Sequence, residues 1–523
     1  MSKSTQRLRK TFRLLLLSVA IAPITTAVSA TPNAQQRVAA AIDAISAKDE
    51  LYRAVIAIAP QAIAEAKALD LQRRARGPLY SHPILVKDNI ETRDQATTAG
   101  SLALAQNHSG VDAPLVAQLR QAGGVILGKA NLSEWANFRS LHSSSGWSAV
   151  GGQTRNAHDP TRTPCGSSSG SAVAVALGYV DIAVGTETSG SIVCPAAANG
   201  VVGFKPTKGL VSGEGIVPLA GTQDTAGPIT STVELAAKAL AVMADNEAGP
   251  SSLTSITSIT SITSGLMRVG ESTKLEGLRI GVFANTLGFD PRRDQELLSV
   301  LHTLQTQGAT IVPGLRIDRY ADYGRESYDV LLYEFRRDLE SYLQSRQELN
   351  DKSSIPVSNL TELIVFNQAH ATQELGVFDQ SIFLNAQDLT DSEKDYLSKR
   401  ERTLRANRED GLDRLFSEYK LDALIGITTS VAWMIDPING DSDFGVSMAS
   451  YAAVAGNPHI TLPLAQVGGM PLGISLVGKR WQDHELAHIA YQLEQTHAKP
   501  VYRSTSATSS ASSTSRSGDK ASP

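Results

Sequence analysis

The sequence predicts an α/β fold: a single α/β/α domain whose mixed central sheet is covered by helices on both faces. Three observations carry this expectation. Short apolar runs of strand length alternate with longer segments of helical spacing through most of the 523 residues. The composition, 42% hydrophobic and 19% charged, supplies a core large enough to cover such a sheet. The Gly- and Ser-crowded stretch 140–230 is interrupted by apolar runs that a flexible linker would lack, so it belongs inside the fold as a substrate-handling region.

Residues 34–75 are Ala-rich, with Val38, Ile42, Ile45, Val55, Ile58 and Ile63 at helical spacing, and read as helices. Pro83–Val86 is a short buried strand, 112–122 a helix, and Gly124–Gly128 the next strand. The apolar runs inside the Gly/Ser region are Ser171–Leu177 and Asp181–Val184. A Ser-Ile-Thr triplet repeat over 251–264 reads as a low-complexity surface insertion. Alternation resumes with strand Leu278–Phe283, helix 292–307 and strand 309–312. Residues 319–348 and 391–417 are charged amphipathic helices expected to cover the core, and Leu421–Ile427 and Leu472–Val477 are further buried strands.

The first 30 residues read as a cleavable secretory signal. Lys3, Arg7, Arg9, Lys10 and Arg13 precede the apolar run Leu14–Ile24 and the small-x-small site Val28-Ser29-Ala30. The run is short for a membrane span, which disfavours an uncleaved anchor. The expected organisation is a signal peptide over 1–30, a catalytic domain over 31–503 and a disordered Ser/Thr-rich tail over 504–523, in an exported, periplasmic protein. Without those five cations, 43 Lys+Arg stand against 52 Asp+Glu, a net charge of −9, which argues against nucleic-acid partners. The two cysteines, Cys165 and Cys194, read as buried thiols in preference to a bridge, although export permits one.

Three segments concentrate the chemistry: Pro83-Ile-Leu-Val-Lys87-Asp-Asn, Pro164-Cys-Gly-Ser167-Ser168-Ser169-Gly170-Ser171, and Gly185-Thr-Glu-Thr188-Ser189-Gly190-Ser191-Ile-Val-Cys-Pro195. A lysine behind four apolar residues either snorkels to solvent or is held desolvated. Desolvation that brings its pKa from about 10.4 to about 7 takes roughly 4–5 kcal/mol and yields a neutral amine able to accept a proton. Serine needs such a base to become a nucleophile, and Ser–Lys pairs are a known alternative to Ser–His–Asp. The Gly190-Ser191 stretch exposes consecutive N–H groups suited to an oxyanion hole.

Together these segments resemble the amidase-signature family, over about residues 35–495, and most closely bacterial peptide amidases. Further matches are Gly203-Phe-Lys-Pro-Thr-Lys-Gly-Leu, Gln223-Asp224-Thr-Ala-Gly-Pro228 and Gly473-Ile-Ser-Leu-Val-Gly. The peptide-amidase likeness rests on Asn131–Phe138, Ser145-Gly-Trp-Ser, Gly152-Gln-Thr-Arg-Asn and Ser191-Ile-Val-Cys-Pro-Ala. The family's cis-serine precedes its nucleophile by 24 residues, as Ser167 precedes Ser191. The resemblance therefore implies Lys87 as base, Ser167 as proton relay, Ser191 as nucleophile, and Thr188, Ser189, Gly190 and Ser191 as oxyanion N–H donors. It implies no cofactor and no metal. The implied reaction is release of ammonia from a carboxamide, with C-terminally amidated peptides as substrate and small aliphatic or aryl amides as the alternative. Val193-Cys194 stands where many members carry an arginine, which argues against small acidic substrates. Trp433, after the strand 421–427, is a candidate for the substrate cleft or equally for the core.

Three rival signals remain. Gly166-Ser-Ser168-Ser-Gly170 matches a nucleophile elbow, with His459 as its histidine. His484-Glu-Leu-Ala-His488 matches a zinc motif, but Leu486, Ile489, Ala490 and Leu493 form a buried stripe that leaves both histidines on the surface. A non-catalytic amide-binding protein would require loss of a triad member, and all three are present.

Overall fold

The structure is a computed structural model and describes residues 32–497 apart from 73–75, 246–257, 272–273, 350–354, Phe444 and Val446. The expected signal peptide, the Ser/Thr-rich tail and residues 251–257 of the triplet repeat lie outside the described residues.

The strands, in chain order, are β1 Val55–Ile58, β2 Pro83–Lys87, β3 Val125–Ala130, β4 Trp147–Ser148, β5 Gly152–Gln153, β6 Ile182–Glu187, β7 Val202–Lys205, β8 Thr225–Thr230, β9 Arg279–Phe283, β10 Thr310–Leu315, β11 Ala423–Ile427, β12 His459–Val467 and β13 Met470–Val477. Among the described residues eleven of them form one sheet, in the order β1-β3-β2-β6-β8-β7-β12-β13-β11-β9-β10, while β4 and β5 make a separate small hairpin. The sheet is mixed: β3, β2 and β6 run parallel, as do β11, β9 and β10, and antiparallel pairs join these two sets.

Helices cover both faces, which is why the central strands read as unbroken apolar runs. Alternate residues divide between the two layers. Ile84, Val86, Ile182 and Val184 face a core shared with helices Pro114–Gln121, Val233–Met243, Pro291–Thr306 and Asp483–Thr496. Leu85 and Ala183 face the opposite core, with helices Ala34–Tyr52, Ser169–Ala176 and Val193–Asn199. Each of the leucine, isoleucine and valine side chains among these, once fully buried, contributes about 1.5–3 kcal/mol. The charged helices expected as a cover are Tyr323–Leu349 and Glu393–Asn407. Phe335, Leu339 and Leu343 of the first pack with Trp135, Phe138 and Leu104, residues of loops outside the sheet.

Three expectations are corrected. Residues 55–58 are an edge strand of the sheet, paired antiparallel with β3, and not part of a helix. The described end of the triplet repeat is the amphipathic helix Ile259–Met267, with Ser258 as N-cap and Ile259 and Ile262 buried against the core, and not a surface loop. The isoleucines that recur every third residue land on one face of that helix. Cys165 and Cys194 are joined in a disulfide, and not two free thiols. The fold brings their Cα atoms to 5.9 Å, within bridging reach.

Candidate active site

Lys87 ends β2 with its side chain wholly buried. Its Nζ donates to Ser167 Oγ at 2.8 Å, to Thr186 Oγ1 at 2.7 Å and to the Thr186 carbonyl at 3.3 Å. Asn89 Nδ2 donates to the same Thr186 hydroxyl at 3.0 Å. Burial drives the lysine down from 10.5 to about 7, against the opposing pull of the Asp224 and Glu187 carboxylates. At neutral pH a large fraction of Lys87 is therefore an uncharged amine, able to take a proton.

Ser167 follows a cis peptide bond from Gly166, and its carbonyl accepts from the Ser133 N–H at 3.0 Å. A side chain at Gly166 would meet Ser133 Oγ at 2.1 Å, so only glycine allows this close passage. The Ser168 N–H donates to the Ser191 carbonyl at 3.1 Å, which ties the Ser167 segment to the Ser191 segment. Ser191 is half-buried at the turn between β6 and helix Val193–Asn199. Glu187 shapes that turn: its Oε2 accepts from Ile192 N at 2.8 Å and Val193 N at 3.1 Å. Gly190 takes φ +97°, in the left-handed region. Among the described residues no acceptor engages the N–H groups of Ser189, Gly190 and Ser191. The Ser189 side chain is exposed.

Sequence reasoning missed three residues around this centre: Thr186, Glu187 and Asp224. Asp224 Oδ1 accepts the Thr188 hydroxyl at 2.5 Å, and Oδ2 accepts from Leu219 N at 2.7 Å and Ala220 N at 2.9 Å. Burial lifts this carboxyl to about 6. Asp224 and Thr188 also border a cavity of about 130 Å³ with Asn89, Thr186 and Lys208. Asp224 stood in a matched segment, but only the folded contact with Thr188 gives it a task.

Trp433 is buried beside Cys165, Ala198, Ala432 and Met470, and its indole N–H donates to Asp441 Oδ1 at 3.1 Å. The disulfide joins a residue two before Ser167 to one three after Ser191.

The rival signals lose their geometry. The Ser168 hydroxyl is held by the Thr186 backbone, donating to its carbonyl at 3.0 Å and accepting from its N–H at 3.1 Å. His459 pairs with Ser475 Oγ at 2.5 Å, and burial lowers its pKa to about 3. His484 and His488 are half-buried and not on the surface, with His484 against Gly265 and 2.8 Å from Glu485. Among the described residues no three His, Cys, Asp or Glu side chains gather as metal ligands.

A second buried charge cluster holds the loop beside the site. The Arg139 guanidinium, fully buried, contacts Glu134 at 2.5 Å, Glu374 at 3.4 Å and the Phe378 carbonyl at 3.0 Å. It also lies over the rings of Phe378 and Trp147.

A sheet of this order, with a desolvated lysine bonded to a serine at its centre, is the architecture of an amide-hydrolysing enzyme. The family model described as Amidase matches residues 36–487, and the chain belongs to that family. Peptide amidase from Stenotrophomonas maltophilia superposes with a TM-score of 0.82 at 40% identity, covering 91% of this chain and 96% of that one. A probable amidase of Arabidopsis thaliana is 34% identical over 480 residues, 88% of this chain and 86% of that protein. A glutamyl-tRNA(Gln) amidotransferase subunit from Symbiobacterium thermophilum is 32% identical over 473 residues, 87% of this chain and 92% of that one. The chain is thus an amidase-signature serine amidohydrolase, and its mixed sheet is the fold of the peptide amidase structures.

Proposed function

We propose that this amidase releases ammonia from C-terminally amidated peptides through an acyl-enzyme on Ser191. The observation that carries the mechanism is the buried Lys87 amine 2.8 Å from Ser167 Oγ. The Ser191 proton passes to Ser167, and the Ser167 proton to Lys87, as Ser191 Oγ attacks the carboxamide carbon. The oxyanion is received by the N–H groups of 188–191, each worth about 3–4 kcal/mol in the transition state. The C–N bond breaks as the proton returns along the relay to the leaving nitrogen, and ammonia departs. Water then attacks the ester, its proton taken by the same relay, and the peptide carboxylate leaves with Ser191 reprotonated.

The likeness to a peptide amidase across nearly the whole chain supports peptides as substrate. The second reading is hydrolysis of small aliphatic or aryl amides, favoured by the less specific amidase likeness of the plant relative. The N-terminal basic and apolar segment supports export through the general secretory route, away from tRNA partners.

The test is ammonia release by the protein from an N-blocked dipeptide amide. Release is expected to survive EDTA and to fall by about 10⁴-fold or more in Ser191→Ala. Turnover of simple amides alone would move the substrate to the second reading. Full activity of Ser191→Ala would end the serine mechanism.

A further inference from the structure

We infer a second ligand site, for a carboxylate carried on an apolar body, in the cleft at the carboxyl ends of β9 and β11. In open α/β sheets this is where ligands settle. Lys87, Ser167 and Ser191 are not among the residues that line the cleft, although Trp433 of its wall packs against Cys165, two residues before Ser167. It encloses about 610 Å³, within the range of small-molecule sites.

Its charges point to an anion. Arg292 is spent on Asp290, with its Nε and terminal nitrogen each held by one carboxylate oxygen. Arg162 is held by Asp159 and by the Ala432 carbonyl. Arg293 differs. It is only 4% exposed, it forms part of the cleft wall, and its Nε is shut from solvent without a hydrogen-bond partner. Among the described residues no hydrogen bond or ion pair engages its guanidinium; the Asp290 and Asp294 carboxylates act on it through space, with one Asp294 oxygen turned to the Gly288 N–H and the other buried without a hydrogen bond. A buried guanidinium left this way is costly unless a ligand anion completes it. The cleft also includes the start of helix Pro291–Thr306, whose dipole favours the same sign of ligand.

The remaining walls are apolar. Trp433 and Met470 form the inner side, and Phe289, 54% exposed, stands at the rim. A hydrophobic acid, with its carboxylate on Arg293 and its body against these three side chains, matches both halves. The site does not depend on the amidase mechanism.

The test uses Ser191→Ala protein, so that no probe is turned over, and titrates 3-phenylpropionate by calorimetry. Saturable one-to-one binding is expected, weakened about tenfold or more by adding Arg293→Met. 3-Phenylpropionamide, which lacks the charge, is expected to show no dependence on residue 293. Should Arg293→Met fail to fold, Phe289→Ala, at an exposed position, is the second variant and is expected to weaken binding several-fold. Absence of saturation up to about 10 mM overturns the site. So does binding that neither variant changes.

Discussion

At the scale of the residue, Lys87 is defined by what surrounds it. Burial lowers its pKa to about 7 and two carboxylates hold it from falling further. In the proposed mechanism Lys87 accepts a proton only when neutral, which is above its pKa. Activity is therefore expected to rise with pH through an apparent value near 7 and to level off above it, as read from kcat/KM. Asp224→Asn removes one of the two charges that favour the ammonium, so its rising limb is expected at lower pH. A limb that stayed in place would show that Asp224 does not act on Lys87. Much of this centre was legible in the sequence. A lysine behind four apolar residues left burial and snorkelling both open, and it was the 24-residue spacing of Ser167 and Ser191, matched to the family, that joined the three segments. Thr186 and Asp224 were not legible as partners, because their contacts with Lys87 and Thr188 arise only where β2, β6 and the 219–224 loop meet in space, whereas Glu187 works within its own turn, on Ile192 and Val193.

At the scale of the element, long strands and helices followed their periodicity, and short ones did not. Val55 and Ile58 are three apart and fit a helical stripe, yet β1 is a four-residue edge strand whose side chains are all half-buried. Four residues are too few to reveal a period of two, so pairing with β3 decided the outcome. The cysteines fail for a related reason, since nothing local says that residues 29 apart will meet. Their bridge clasps the segments of Ser167 and Ser191 together. On loop-closure entropy the double variant Cys165→Ala/Cys194→Ala is expected to lose about 3–4 kcal/mol, read as a lower denaturation midpoint. An unchanged midpoint, with both thiols free to react in native protein, would count against the bridge.

At the scale of the whole molecule, Arg139 ties the loop after β3 to the segment 374–378 of the covering helices. Glu134 also accepts from Ala149 N at 2.7 Å, and Glu374 from Leu102 N at 2.7 Å, so the triad gathers four separate stretches of chain. Removing the cation would strand two buried carboxylates. Arg139→Ala is expected to cost about 3–5 kcal/mol, and thermal unfolding measures it. Retention of wild-type stability would show that the cluster relaxes to water. The covering helices were legible from their charged amphipathic pattern, but not this contact, which depends on residues up to 239 apart in sequence. The order of the sheet carries a consequence for how the protein comes into being. β1 to β8 contribute six adjoining strands at one side and β9 to β11 three at the other, and the hairpin 459–477 lies between them. A nascent chain that has reached residue 458 holds two partial sheets, each ending in a bare strand at β7 or β11 with unpaired amides. The seam closes only when nearly the last strand leaves the ribosome, so the interval before it is when the chain most needs shielding from other copies of itself.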